Sequence, residues 1–358
     1  MSSSGSHYDC IVVGAGPAGS AFAKAVSDTG LSVLLIDGAL PGRSKPCGGL
    51  LAPDAQKLFA RFDYPLPHAI LADPQIFSVR VIDLGRNMER RYRRSYVNMH
   101  RDAFDAYLLS LVPDSVTVLK GRCLDCAACE GGYRVRVRAM DTGEEQDYTC
   151  ARLVGADGAG SIVRRTFFGN GTIPRYVAIQ GWYRPMAAVN PYYSCVFDPE
   201  TSDSCSWTLF KNGYMIYGGA FPEKDCRSAF DAQKERLEAY LGYSFGEAER
   251  IEACPVCSPR RFKHFRTSGR GDAAHVYLIG EAAGFISASS FEGISSAIQS
   301  GLFLADAFRK KDPGRAYRRK TRTLRFRLRL KGFKRIATHT PWIRRLLMKT
   351  GISSIRTI

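Results

Sequence analysis

Two runs of small residues, about 265 positions apart, carry the strongest chemical signal in the chain. In the first, the apolar stretch Tyr8 to Val13 breaks into Gly14-Ala15-Gly16-Pro17-Ala18-Gly19. In this G-x-G-x-x-G spacing, Gly14 permits a tight turn and Gly16 lets the backbone approach a pyrophosphate. Gly19 lets the following helix pack close to the strand and aim its positive N-terminal end at the phosphates. Leu31 to Ile36 then reads as a second parallel strand ending in Asp37, about 20 residues past the glycines, where a carboxylate bonds ribose hydroxyls. In the second run, the strand His275 to Ile279 leads into Gly280-Glu281-Ala282-Ala283-Gly284. An enzyme that holds one dinucleotide through one turn needs only the first run. A flavin enzyme uses one turn for the pyrophosphate and another for the ribityl chain, so FAD is expected ahead of NAD.

Leu153 to Arg165 supplies a third signal, of the form D-G-x-x-S-x-x-R. A strand delivers Asp157 and Gly158 to the pyrophosphate face, and Ser161 caps the next helix. Gly271-Asp272-Ala273-Ala274-His275 spells a common ribityl-binding signature, but it precedes the strand that the motif must follow. The site is therefore assigned to Gly280 and Glu281, with Glu where Asp is usual. Beyond it, Gly293 and Ile294 open a helix whose free N–H groups would face the N1/C2=O edge of a flavin. Arg101 stands at another helix start, where an arginine can pair with phosphate, although by itself such a residue is more often a solvated surface Arg. Cys47 lies in a glycine-rich loop with Gly48 and Leu50. A thiol there has three readings: it tunes the flavin, it donates a proton, or it is a small residue for close packing.

The elements that must position these residues fall into two kinds. Strand–helix alternation marks a Rossmann-like FAD-binding domain in three parts, 1–75, 98–174 and 266–308, giving an α/β fold (α+β overall). Short alternating strands from Tyr176 to about Arg261, interrupted by a helix from Phe230 to Leu241, predict an antiparallel substrate domain over 175–265, with a β segment at 76–97. Its aromatic residues Trp182, Tyr193, Phe197, Trp207, Tyr214, Tyr217 and Phe221 line either a greasy pocket or the core face of the sheet. The spaced cysteines Cys123, Cys126 and Cys129, with Cys254 and Cys257, do not predict a metal, because a spacing of three on a strand alternates faces.

The 358 residues are enough for a large core, and no apolar run approaches the ~18 residues of a membrane helix. The first strand starts near Tyr8, so no signal peptide is expected, and a cytoplasmic location would keep the eleven cysteines reduced. The net charge of +17 sits entirely in 309–358, which holds eighteen Lys or Arg and one acid, Asp312. This tail reads as helices from Pro313 to about Lys334 and from Pro341 to Lys349, with Phe326, Leu330, Phe333 and Ala337 as an apolar stripe. Packing on the FAD domain and a basic surface resting on anionic lipid at the inner face of the membrane are both consistent with it. No nucleic-acid recognition module is present.

The first glycine turn, Ser44-Lys45-Pro46-Cys47-Gly48-Gly49-Leu50, Arg101, the Asp157 motif and Gly280 to Ser295 together resemble the geranylgeranyl reductase family of FAD enzymes, in particular the CbrA-like bacterial flavoproteins. The resemblance implies a para-hydroxybenzoate-hydroxylase-like (glutathione-reductase-2 type) fold with an antiparallel substrate domain, C-terminal helices and non-covalent FAD. It places FAD contacts on Pro17, Asp37, Cys47, Gly48, Leu50, Arg101, Cys123 (backbone), Glu281, Gly293 and Ile294. With the residue reading, this adds Gly14, Gly16, Ala18, Gly19, Asp157 and Gly280. Cys47, Tyr214 and Tyr217 are the candidate catalytic residues. The implied activity is reduction of C=C bonds in a hydrophobic, isoprenoid or polyene-like substrate by hydride from reduced flavin. The alternative is a monooxygenase acting through a C4a-hydroperoxide. No second dinucleotide turn exists, so the external reductant would be transiently bound NAD(P)H or a ferredoxin.

Overall fold

A computed structural model describes residues 6–38, 45–62, 64–169, 173–185, 191–352 and 354–355. The chain divides into two compact units: 1–43, 105–174 and 257–330 form the first, and 44–104, 175–256 and 331–358 form the second. Strands and helices are numbered along the chain.

In the first unit, β1 (His7–Val13) feeds α1 (Pro17–Val26), and β2 (Val33–Asp37) returns parallel to β1 with Val13 opposite Ile36. β2 and residues 10–13 of β1 are buried, and apolar up to the terminal Asp37, because both faces are covered there, as expected of parallel strands. β6 (Val116–Cys129) pairs in parallel with β2 through its first half and antiparallel with β7 (Gly132–Ala139) through its second. β8 (Glu145–Gly155) likewise divides its length between β7 and β1. α4 (Ile162–Phe168), β14 (Val276–Leu278), α6 (Ile294–Phe308) and α7 (Pro313–Lys320) complete the unit, with β14 parallel to β8. Its core is built from Ile11, Val12, Phe22, Leu35, Leu153, Val154, Leu278 and Leu304, all buried.

The second unit contains an eight-stranded sheet ordered β13-β9-β12-β11-β10-β4-β5-β3. Its strands are β3 (Leu50–Leu51), β4 (Ile76–Asp83), β5 (Met88–Asn98), β9 (Arg175–Tyr183), β10 (Ser194–Phe197), β11 (Cys205–Lys211), β12 (Tyr214–Pro222) and β13 (Ala248–Cys257). β10 joins β4 in parallel, which fuses the 76–97 segment to the later strands. α2 (Pro53–Arg61), α5 (Cys226–Leu241) and α9 (Pro341–Thr350) accompany the sheet. Three of the unit boundaries fall inside elements: α3 (Arg101–Ser110), α8 (Arg322–His339) and β13, before its last residue. α5 presents Phe230 and Leu237 to one face of the sheet, where they pack with Tyr217 and Phe221.

Four expectations need adjustment. Residues 44–75 and 98–104 group with the sheet and not with the dinucleotide unit, because β3 pairs with β5 and Met99 N donates to Gly49 O at 2.9 Å. The tail helix breaks at Thr321 into α7 and α8, and Phe326, Leu330 and Phe333 are exposed, whereas Leu324 and Leu328 face the core. The side chain of Ala337 lies outside the described residues. A register shift between Cys123 and Asp125 puts Cys123 and Cys126 both on the buried side despite their spacing of three, while Cys129 is exposed.

Candidate functional site

The three motifs meet around the N-terminus of α1. Gly14 has φ +106, and a Cβ there would stand 2.6 Å from Ala156 O, so only glycine fits beside the Asp157 turn. A Cβ at Gly19 would lie 1.9 Å from Gly14 O. Nothing approaches within 4 Å of a Cβ at Gly16, which leaves open space where a phosphate would come. α1 starts with Pro17 in its first turn and no side chain capping it, so its leading N–H groups face that opening. Gly280 abuts Ala18, at 2.8 Å for a Cβ, which brings the second glycine turn against the first. Gly280 N donates to Ser300 Oγ of α6 at 2.9 Å, tying Gly293 and Ile294, at the head of that helix, to the same cluster. Phe291, just before it, has φ +51, a left-handed backbone uncommon for an aromatic residue and concentrated at functional loops.

Asp37 ends β2, is nearly buried, and pairs with Lys120 from β6. Cys123 lies three residues further along that strand, and burial pushes its thiol well above the usual range. Glu281 Oε1 accepts from Cys257 N at 2.8 Å, so the replacement of Asp by Glu is accommodated by a backbone donor. The Gly271 to Ala273 turn precedes β14 and the Gly280 to Ala283 turn follows it, as the rejected signature required.

The Asp157 carboxylate works inside its own motif. It accepts from Ile162 N at 2.6 Å and Val163 N at 3.3 Å, while Ser161 Oγ accepts from Arg164 N at 2.9 Å. Its group therefore caps α4, and only the backbone around it is left to meet a ligand. Burial raises its pKa, opposed by these hydrogen bonds. Arg164, the last residue of the motif, donates to Ala282 O and His264 O, both at 2.8 Å. Burial lowers its pKa to about 10. It staples α4 to the second glycine turn, a positioning role that the motif spacing marks without explaining.

Cys47, Gly48, Leu50 and Arg101 belong to the second unit. Gly49 N donates to Cys47 Sγ at 3.3 Å. A Cβ at Gly48 would lie 3.1 Å from Leu209, beside the Trp207 indole. Behind this loop sits Lys211, 2% exposed, whose ammonium donates to Asn98 Oδ1 at 2.6 Å, Met99 O at 2.5 Å and Gly49 O at 3.4 Å. Burial brings its pKa down to about 7, with Cys47 and Asp102 pulling the other way. Asn98 extends the network, donating Nδ2 to Pro74 O and Phe210 O. Lys211 escapes sequence reading because Asn212 and Gly213 follow it with positive φ, a hairpin turn whose neighbours read as solvent-exposed.

The aromatic candidates separate. Tyr217 is fully buried, with its hydroxyl against Phe230 O and Gln233 Oε1, both at 3.1 Å, and burial raises its pKa well above normal. It is a core residue under α5, not a catalytic one. Tyr214, on the opposite face of β12, donates to Glu249 Oε2 at 3.0 Å beside Arg184 and packs edge-on to Trp182. No group of three or more His, Cys, Asp or Glu residues among those described forms a metal cage.

No family model matches the chain. It is similar to solved structures across nearly its whole length. One is a geranylgeranyl bacteriochlorophyll reductase-like protein from Thermoplasma acidophilum, with TM-score 0.74, 18% identity, and 94% of this chain and 88% of that one covered. Another is PqsL, a probable FAD-dependent monooxygenase from Pseudomonas aeruginosa, with TM-score 0.67, 17% identity, and 97% and 99% covered. At such identities the likeness shows the fold, the mixed α/β architecture of these reductases and monooxygenases. Protein CbrA of Escherichia coli is 43% identical over 356 residues, 98% of this chain and 95% of that protein. The chain belongs to the CbrA family.

Proposed function

We propose that this chain is an FAD-dependent oxidoreductase that reduces C=C bonds of a hydrophobic, isoprenoid or polyene-like substrate. The observation that carries the reading is the convergence of the Gly14, Asp157 and Gly280 motifs on the uncapped start of α1, with open space at Gly16. Gly14 and Gly19 let the turn close on itself, and the open space at Gly16 leaves the backbone clear for a pyrophosphate, so the cradle fits a dinucleotide. Similarity to a reductase-like and a monooxygenase structure supports a flavin as that dinucleotide.

When bound, FAD supplies a two-electron carrier that in its reduced form delivers hydride. In the proposal, Gly16, Ala18 and Gly19 hold the pyrophosphate by backbone N–H groups and the helix dipole, while Gly14, whose N–H donates to Ile36 O, and Pro17, which has no N–H, shape the turn. Asp37 bonds the ribose hydroxyls with Lys120 at its side, and Glu281, oriented by Cys257 N, bonds the ribityl chain. Cys47, Gly48, Leu50 and Arg101 remain proposed cofactor residues. Cys47 Sγ supplies the proton that, with one hydride, saturates the double bond. The external reductant in this reading is NAD(P)H or a ferredoxin.

The test is anaerobic reduction of the purified yellow protein, followed by rapid mixing with an oxygen-free polyprenyl lipid or with oxygenated buffer. Reoxidation by the lipid without oxygen supports the reductase. Oxygen consumption coupled to product hydroxylation, with no response to the lipid, favours monooxygenation, the second reading that the likeness to PqsL supports. Cys47→Ala should retain flavin absorbance and lose about a hundredfold or more in lipid-driven reoxidation, the low end for a general acid. An unchanged rate removes Cys47 from the chemistry.

A further inference from the structure

We propose that α9 and the turn between β4 and β5 form a docking surface for an anionic phospholipid bilayer. The inner face of α9 is fixed to the second unit. Arg344, 4% exposed, donates Nε to Asp83 at 2.6 Å, Met348 is buried, and Arg90 donates Nε to Met348 O at 2.8 Å. At 3.6 residues per turn, Trp342, Leu346 and Lys349 fall on the opposite side from Arg344 and Met348. Trp342 is 66% exposed and Leu346 58% exposed, one turn apart. A tryptophan and a leucine stacked along one outward face form an apolar strip that marks an interaction surface.

Charge selects the occupant. Arg345 and Lys349 of α9, with Arg86 of the β4–β5 turn and Arg90 at the start of β5, line a cleft of about 590 Å³. Glu89 is the acid in its lining, and it lies within 3.5 Å of Arg91 and 3.9 Å of Arg80, so the cleft is strongly cationic. Four cations around a cleft suit phosphate headgroups, and an adjoining Trp–Leu face suits the boundary between headgroups and acyl chains. The surface stands independently of the flavin reading.

The purified full chain should co-sediment with phosphatidylcholine vesicles containing about a third phosphatidylglycerol, and not with pure phosphatidylcholine vesicles. High salt should weaken the binding. A blue shift of tryptophan emission should accompany binding and vanish in Trp342→Phe. Arg345→Gln with Lys349→Gln should lower the vesicle partition coefficient about thirtyfold, the expectation for two basic residues near an anionic surface. Leu346→Gln should weaken binding at constant charge. Flavin absorbance of each variant reports separately on the fold and the cofactor. Equal binding to neutral and anionic vesicles, or no effect of these substitutions, overturns the proposal. So does a dimer that Leu346→Gln dissociates, which gives the face to a second copy, or salt-sensitive binding to a short nucleic acid that Leu346→Gln leaves intact.

Discussion

The two units hold their candidate residues by different means. In the first, the cradle is shaped by what is missing: no Cβ at Gly14 or Gly19, and nothing over Gly16. In the second, the loop at Cys47 to Leu50 is shaped by what is added, a buried ammonium that collects oxygens from Asn98, Met99 and Gly49. A cradle made of backbone has a fixed spacing in sequence. A loop held by Lys211 depends on groups 112 to 162 residues away, and no local window shows them.

The contrast can be broken most sharply at Gly19. Gly19→Ala should cost more than about 4 kcal/mol and abolish flavin binding, because the new carbon meets a carbonyl that cannot move. Gly16→Ala should leave the urea midpoint within about 0.5 kcal/mol of the parent, yet weaken FAD at least tenfold by titration. If both variants keep flavin, the first unit is not a backbone cradle. Next in size, Arg164→Met should lose about 3 kcal/mol by stranding Ala282 O and His264 O, with FAD released faster. A parent-like midpoint and release rate would reduce the staple to a surface contact.

Lys211 tests the second unit through pH. The unfolded chain keeps this proton up to about pH 10.5, whereas the folded chain gives it up near 7. Unfolded molecules therefore bind more protons across that window, and stability rises with pH there, by up to about 1.4 kcal/mol per pH unit. Below pH 7 both states are protonated and the slope from this group vanishes. The difference between the parent and Lys211→Met should carry this slope in urea titrations from pH 6 to 10. A flat difference would mean the ammonium keeps its proton throughout. The smallest effect is expected at Tyr217→Phe, about 1 kcal/mol of stability with turnover unchanged. A large loss of turnover with normal stability would return Tyr217 to the catalytic candidates.

Much of the first unit was legible because parallel strands, glycine turns and a terminal acid recur in fixed order. The role of Arg164 was not, since its acceptors lie on segments more than 90 residues away. The placement of Tyr217 was readable only as a choice between pocket and core, because period-2 alternation names two faces without saying which one a helix covers. Here α5 covers the face of Tyr217 and Phe221 and leaves Tyr214 on the other. The pairing of Cys123 with Cys126 on one side depended on a bulge, which composition does not announce. Glu281 in place of Asp looked like a departure. The structure answers it with the Cys257 N–H, a donor supplied by the last residue of β13.

On the ribosome, the β4–β5 hairpin is complete once Asn98 has emerged, while β10, its partner along β4, begins at Ser194. At about 5–20 residues per second, β4 waits roughly 5 to 20 s with an open edge. An open edge invites pairing with another chain. Arg80 on β4 and Arg90, Arg91, Arg93 and Arg94 on β5 give the waiting hairpin a charge that repels its own copies from neighbouring ribosomes. These arginines act on solubility before the sheet they belong to exists.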